Sequence, residues 1–462
     1  MIFTDWKFFV FFVIAFCVYW ALSGNLLQKL WLLVCSMVFY AAWDWRFLSL
    51  VLLVIVNTYA VTLLIAGGET EHRRKAILTL GITVSLGVLG VFKYYNFFVD
   101  SLQHILPVHP RIASLVLPIG ISFYTFHSLS YMIDTYRRRI TPTRSFIDVA
   151  LYILFFPQLV AGPIVRATDL LPQMRSERSF RAVDFKYFLA LFLIGYFKKA
   201  VISDGIAPLV DTFFAHPENY GRIDAFVAVT FYAVQIYCDF SGYTDMAIAV
   251  AGMLGFRLRI NFDHPYFAAG IGDFWRRWHI SLSSWLRDYL YIPLGGNRGS
   301  AVFQARNVMI TMLLGGLWHG ANWTFVVWGG LHGLGLVAHR FWQRLRGGRS
   351  GGPERYSLIG NAMTFAFVWF AWIFFRAPDF ATAAAVIGRF DVGAPPRLMT
   401  TTNFALITAS LIAAHVLFYR IDLRAATGRI SPTVFACGYG AAVAVILPFV
   451  NVAVQPFIYF QF

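Results

Sequence analysis

Residues 47–66 read FLSLVLLVIVNTYAVTLLIA, a stretch of twenty residues without a charged side chain. A helix of about twenty apolar residues crosses the ~30 Å hydrocarbon core of a bilayer, so this stretch predicts a membrane-spanning helix. Further apolar runs lie at residues 8–22, 30–42, 76–99, 112–133, 185–202, 225–250, 358–375, 404–418 and 434–454. The pattern predicts an all-α polytopic membrane protein with about 10–12 transmembrane helices.

The composition agrees with this class. The chain has 462 residues, of which 58% are hydrophobic and 13% are charged, whereas a soluble domain is about 25% charged. A transmembrane barrel would show short alternating strands, and the sequence has none. Because no internal repeat and no soluble segment divides the chain, we predict one membrane-embedded domain over residues 1–462.

The net charge of +15 does not indicate nucleic acid. Lysine and arginine cluster in the loops between apolar runs, for example at 137–144 and 340–355. This distribution follows the positive-inside rule for cytoplasmic loops. We therefore predict a multi-pass protein of the membrane, surrounded by lipids and without a nucleic-acid partner.

Two apolar segments have basic residues on both sides and do not fit simple spanning. Residues 146–165 contain Pro157 and are predicted to be re-entrant. Residues 307–340 contain GGLWHGANW at 315–323. If the helix breaks at the two glycines, the leg from 307 to 314 is only ~12 Å long. His319 would then lie near the middle of the membrane. Between these segments, residues 261–298 mix aromatic and basic side chains, as interfacial helices do.

His319 is the first candidate for catalysis. A histidine at membrane depth is costly and indicates a functional site. Neutral imidazole can accept a proton from an attacking hydroxyl, and burial favours the neutral form of a histidine. The alternative is a histidine that hydrogen-bonds backbone carbonyls across a helix break.

His279 is the second candidate, either as an interfacial histidine or as a partner in the same cavity. The nearby guanidinium groups of Arg276, Arg277 and Arg287 can meet donor phosphates or lipid head groups, and the sequence leaves both open. His332 lies beside two glycines, which indicates close helix packing. A zinc site formed by the three histidines lacks any HExxH or CxxC pattern, so we predict no metal.

Several motifs together resemble the membrane-bound O-acyltransferases, and among them the group that acetylates alginate. They are DFSGYTD at 239–245, the segment 273–289 with PLGGN at 293–297, LWHGA at 317–321 and FIYFQF at 457–462. The resemblance implies a ring of tilted helices around a thinned centre with a tunnel. It also implies that His319 is catalytic and that His279 is a second functional histidine.

The resemblance further implies a function. An acetyl group would pass from a cytoplasmic thioester such as acetyl-CoA across the inner membrane to an exported polysaccharide, and alginate is the first candidate for this polysaccharide. The protein would hold no bound cofactor. The partners would be a periplasmic SGNH-type acetyltransferase and the polysaccharide export machinery. We assign to the donor tunnel Trp318, Asn322, Asp273, Arg276, Arg277, Trp278, Arg287 and Asp239.

Alternatives keep the chemistry and change the acceptor: cellulose, peptidoglycan, another exopolysaccharide, or teichoic acid that receives D-alanine. A rival of a different class is a transporter or flippase, which also needs broken helices and polar groups at the midplane. A third class is a non-catalytic scaffold for partner enzymes.

Overall fold

A computed structural model gives the fold, and it describes residues 1–103, 115–345, 357–450 and 457–458. All regular structure in these residues is helical, which confirms the all-α class. Parts of four sequence features lie outside the described residues. They are the two ends of the predicted runs at 112–114 and 451–454, most of the basic loop at 346–355, and residues 459–462 of the C-terminal motif.

The chain divides into two compact units, residues 1–188 with 246–259 and residues 189–245 with 260–462. The prediction of a single domain and that of a ring with a tunnel are not tested by this division and stay predictions.

The first unit contains nine whole α-helices in its described residues: α1 (Trp6–Ala21), α2 (Asn25–Asp44), α3 (Leu48–Ala66), α4 (Glu71–Leu89), α5 (Tyr95–Gln103), α6 (Ile121–Tyr136), α7 (Phe146–Leu154), α8 (Phe156–Leu159) and α9 (Ala167–Arg175). The predicted re-entrant segment 146–165 corresponds to α7 and α8. The chain breaks between them at Phe155, two residues before Pro157, and nearly every side chain of the segment is buried. Helices of nine and four residues are too short to cross a ~30 Å core.

The second unit holds most of α10 (Phe185–Tyr196) and α12 (Arg222–Met253), whose remaining residues belong to the first unit. Its other described helices are α11 (Asp204–Ala215), α13 (Ile271–Arg277), α14 (Ile280–Leu286), α15 (Ala301–His319), α16 (Trp323–Leu345), α17 (Leu358–Arg376), α18 (Phe380–Arg389), α19 (Thr401–Arg420), α20 (Leu423–Arg429) and α21 (Pro432–Ile446). A π-helical stretch, Phe197–Ser203, joins α10 to α11. The short helices α13 and α14 occupy the segment that was predicted to be interfacial.

Six helical stretches of the described residues are long and apolar enough to cross a membrane: Asn25–Ala66, Glu71–Gln103, Arg222–Met253, Leu358–Arg376, Thr401–Arg420 and Pro432–Phe449. The chain is therefore a multi-pass membrane protein. The count of 10–12 spans would need the shorter or less apolar helices as well, and it stays a prediction.

The predicted break at Gly315 and Gly316 is wrong. Helix α15 runs through both glycines and ends at His319 after 19 residues, a length of ~28 Å. The glycines serve packing, because a methyl group on Gly316 would overlap the carbonyl oxygen of Phe325 and lie 3.1 Å from Gly329. Gly316 and Gly329 therefore let α15 and α16 approach closely as an antiparallel pair, whereas a methyl group on Gly315 would lie 3.3 Å from the side chain of Leu286 in α14.

Candidate active site

The turn between α15 and α16 places His319. This residue ends α15, and the chain continues in an extended conformation at Gly320 before α16 begins at Trp323. A side chain at Gly320 would overlap the ring of Phe325, so the turn needs glycine here. His319 is 3% exposed and therefore stands at a helix end inside the protein.

Aromatic rings surround the imidazole of His319. Its ring centroid lies 5.0 Å from Trp318, 5.0 Å from Trp328 and 5.3 Å from Phe375, all in tilted or edge-on arrangements. Such packing limits how far the imidazole can rotate and keeps it in an apolar environment. In such a setting few water molecules compete with a substrate for hydrogen bonds to the imidazole.

His279 is held by its backbone and by one amide. Its φ of +43° lies in the left-handed region, and it is the residue immediately before α14. Its Nδ1 lies 3.2 Å from Oδ1 of Asn261. That oxygen also accepts hydrogen bonds from the backbone N–H and the hydroxyl of Ser281 at 3.1 and 2.9 Å.

This network assigns the tautomer of His279. The backbone N–H of Ser281 can only donate, which identifies the facing atom of Asn261 as its amide oxygen. An amide oxygen has no proton to donate and can only accept from the imidazole, so Nδ1 carries the proton and Nε2 keeps its lone pair. Within the described part of the chain, Nε2 of this fully buried ring has no hydrogen-bond partner. Asn261 thereby fixes which nitrogen of His279 is available to a substrate.

The pKa of His279 defines its state. The residue lies outside the six candidate spans, and burial lowers the pKa of its imidazole to about 3. The ring is therefore neutral at physiological pH. With Nδ1 held by Asn261, this neutral ring can orient a group that donates a hydrogen bond to Nε2.

The two predicted histidines lie together. The ring centroids of His279 and His319 are 6.4 Å apart, and Trp318 contacts both rings. Hydrogen bonds in catalytic sites are about 2.6–3.2 Å long, so one small group between the rings can reach both. Phe240 of α12 closes one side, with its ring edge-on to His279 at 4.6 Å.

The predicted tunnel residues fall into four groups. Trp278 and Trp318 are buried next to the histidines. The ring of Trp278 packs against the rings of Phe262 and Trp372. Asn322 caps the start of α16, since its Oδ1 accepts from the backbone N–H of Thr324 at 3.0 Å.

The predicted charged residues of α13 and the stretch after α14 form ion pairs with side chains close to them in the sequence. Asp273 accepts from Nε of Arg277 at 2.9 Å and lies 3.6 Å from Arg276. Arg287 pairs with the neighbouring Asp288 at 2.7 Å and is 62% exposed. The guanidinium groups of Arg276 and Arg287 are exposed and that of Arg277 is partly buried, so the first two can meet anionic groups at the surface of the second unit. They do not join the histidine pair.

Asp239 belongs to a buried ion-pair network. Its Oδ1 lies 2.6 Å from Nζ of Lys199, which also contacts Asp204 at 2.7 Å, and all three side chains are at most 7% exposed. The other oxygen of Asp239 accepts from the backbone N–H of Ile458 at 2.9 Å. Asp239 therefore ties α12 to the π-helical stretch Phe197–Ser203, which contains Lys199, and to the C-terminal residue Ile458.

Two components of the site were missed in the sequence. Asn261 gave no signal, because an asparagine in a loop is common. Lys199 did give one, since it stands with Lys198 inside the apolar run 185–202, and charged side chains in such runs are rare unless they are paired or functional. Among the described residues, no group of three or more His, Cys, Asp or Glu side chains could hold a metal ion.

The comparison with known families decides the class. A family model for "MBOAT, membrane-bound O-acyltransferase family" matches residues 16–377, a range that includes both histidines. The chain belongs to the membrane-bound O-acyltransferase family. It is therefore a membrane-bound acyltransferase, as the motifs predicted.

Individual relatives of this acyltransferase also carry the names of acyl-transferring enzymes. The chain is 42% identical over 426 residues to the probable alginate O-acetylase AlgI of Pseudomonas putida, covering 91% of this chain and 86% of the relative. It is 44% identical over 388 residues to the protein of the same name from Pseudomonas aeruginosa, covering 83% and 73%. It is 38% identical over 393 residues to the peptidoglycan O-acetyltransferase of Helicobacter pylori, covering 79% and 74%.

Proposed function

We propose that this acyltransferase supplies the acetyl groups for O-acetylation of an exported polysaccharide, alginate, from a cytoplasmic thioester such as acetyl-CoA. The observation that carries this proposal is the buried pair of His279 and His319, 6.4 Å apart between ring centroids. The relatives named alginate O-acetylase support the acceptor.

The two histidines take different roles in the proposed reaction. His319 accepts the proton of the attacking hydroxyl while the new C–O bond forms at the acyl carbonyl. The C–S bond of the thioester then breaks, and the thiol leaves with a proton. His279, neutral and oriented by Asn261, positions the reacting group through its Nε2 lone pair.

The surroundings of the reaction follow from its chemistry. The donor thioester is a substrate, so the proposal includes no bound cofactor. The paired arginines Arg276, Arg277 and Arg287 are the candidates to meet the donor's phosphates. Because the polymer is exported, we place the protein in the bacterial inner membrane, beside the export machinery. A periplasmic SGNH-type acetyltransferase would receive the acetyl group.

The proposal is tested with His319→Ala in cells that make the polymer. We expect polymer-bound acetate to fall by about 10²–10⁴-fold, the usual contribution of a general base, while the protein still inserts into the membrane. His216→Ala is the matched control, because that histidine is 68% exposed and pairs with Glu218. Normal acetate in the His319→Ala strain refutes the proposal.

Peptidoglycan is the second candidate acceptor, favoured by the Helicobacter relative. Acetate measured on both polymers from the same cells separates the two, since only the true acceptor loses acetate in His319→Ala. The same comparison covers cellulose and other exopolysaccharides, and for teichoic acid the ester-linked D-alanine is measured in place of acetate.

The transporter and scaffold alternatives are separated with purified protein in proteoliposomes. An acyltransferase consumes thioester and releases free thiol, whereas a transporter moves intact solute. A scaffold would leave the histidine variants fully active.

A further inference from the structure

The second unit contains a cleft of about 960 Å³ that neither His279 nor His319 lines. Its walls come from α10 with the π-helical stretch after it, and from α12, α17, α19 and α21. The last four of these helices are candidate membrane spans. The cleft therefore lies at the level of the hydrocarbon core, where lipid is the solvent.

The cleft is mostly apolar and is accessible from outside. Helices α19 and α21 have no buried side chains, and the lining residues Ile412 and Val445 are 57% and 66% exposed. Along α19 the lining extends from Thr408 to Phe418, a rise of ~15 Å. One leaflet is half of the ~30 Å core, so the cleft has the length of the acyl chains of a single leaflet.

A band of polar side chains crosses one end of the cleft. The rings of His264 and His415 lie 5.1 Å apart, and the ring of His415 lies 5.5 Å from Tyr237. Nζ of Lys198 lies 5.8 Å from the ring of Tyr237 and 2.7 Å from Asp245. Among the described residues, Nε2 of His415 is buried without a hydrogen-bond partner. Polar groups at one end of an apolar cleft match an amphipathic ligand.

The same end carries positive charge. Ile421 and Leu423 line the cleft, and the segment 420–429 around them contains Arg420, Arg424 and Arg429 against a single acid, Asp422. Basic residues at the end of a span attract anionic lipid head groups, at about 1 kcal/mol for each residue near the membrane surface.

We infer that this cleft binds an anionic phospholipid. Its acyl chains lie between α12 and α19, its ester oxygens meet the polar band at His264 and His415, and its phosphate meets Arg420 and Arg424. The volume is near the upper end of the ~300–1,000 Å³ of small-molecule sites. This binding is a property of the second unit and does not depend on the proposed acetylation.

The inference is tested on the full-length protein, purified in detergent, stripped of lipid and returned to vesicles of defined composition. Native mass spectrometry counts the phosphatidylglycerol or phosphatidylcholine that stays bound. We expect wild type to retain phosphatidylglycerol preferentially. The double variant Arg420→Gln, Arg424→Gln should weaken that binding by about fivefold for each arginine removed.

A matched pair on α21 tests the location. Ala442 lines the cleft and Ala444 does not. We expect Ala442→Trp to reduce bound phosphatidylglycerol at least tenfold and Ala444→Trp to leave it unchanged. If Ala442→Trp fails to fold, Ala414→Trp fills the cleft from α19 instead. Equal binding by the filling variants and Ala444→Trp overturns the inference, as does equal retention of the two lipids by wild type.

Discussion

The charged network around Lys199 allows one prediction to be worked through. Lys199 contacts Asp204 at 2.7 Å and Asp239 at 2.6 Å, and the three side chains are 3%, 7% and 2% exposed. Lys199→Met keeps the length of the side chain and removes its charge. It leaves two buried carboxylates without their shared cation, and removing one partner of a buried pair costs about 3–5 kcal/mol.

The assay is thermal unfolding of detergent-purified protein, followed by the fraction that stays monodisperse. For a domain of 150–250 residues, about 1 kcal/mol corresponds to ~2–4 °C, so we expect Tm to fall by about 6–20 °C. The loss should be smaller near pH 5 than near pH 8. Protonation neutralises the stranded carboxyl of Asp204, because burial already raises the pKa of this group to about 6 with Lys199 present.

The triple variant Lys199→Met, Asp204→Asn, Asp239→Asn is the control. It removes all three charges together, and neutral replacement of a whole buried network is often tolerated. We expect it to recover most of the lost Tm. If the single variant melts within about 2 °C of wild type, or if the triple variant is no more stable than the single one, the network does not stabilise the protein in the way argued.

Two further predictions concern the site and the helix pair that carries it. Asn261→Leu should lower acetyl transfer by about 10–100-fold, the range for loss of an orienting partner, because the variant no longer holds the ring of His279 with Nε2 available. The release of free thiol from the thioester measures this transfer. Unchanged thiol release contradicts the tautomer assignment. Gly316→Ala should lower Tm by the equivalent of about 1–3 kcal/mol, since the added methyl meets a backbone carbonyl. Gly388→Ala is its control, because its added methyl meets open space in α18 and should be neutral or slightly stabilising.

The fold class and several helix ends could be predicted from hydropathy alone. The run 47–66 corresponds to α3 at Leu48–Ala66, and the run 358–375 corresponds to α17 at Leu358–Arg376. In a membrane every backbone polar group must be satisfied within the helix itself. Length and apolar character therefore determine such a helix without reference to its neighbours.

The glycines at 315 and 316 are a case in which the local sequence does not determine the structure. Glycine is typical of helix breaks and also of close helix contacts, and the local sequence is the same in both cases. What decides between them is the backbone of Phe325 and Gly329 on the facing helix. That information is tertiary, so the break was placed about four residues too early.

The candidate site divides in the same way. His319 and His279 were recognisable because an imidazole is costly in an apolar environment and because their motifs are those of the family. The part played by Asn261 depends on the left-handed backbone of His279, 18 residues further along the chain. No periodicity or composition in the sequence encodes that contact.

The unbroken α15 also changes where His319 can stand. The mid-membrane position rested on a leg of about eight residues or ~12 Å, whereas the observed helix is 19 residues long, or ~28 Å. Arg298 and Arg306 flank the start of this helix, and the positive-inside rule places them on the cytoplasmic side. Arg306 itself lies inside the helix, so the part from Arg306 to His319 rises ~20 Å. Along the membrane normal this is about two thirds of the ~30 Å core, and tilt would shorten that distance. We therefore expect the acetyl group, which starts on a cytoplasmic thioester, to travel further to reach His319 than the mid-membrane position implied, and the exported acceptor to travel correspondingly less.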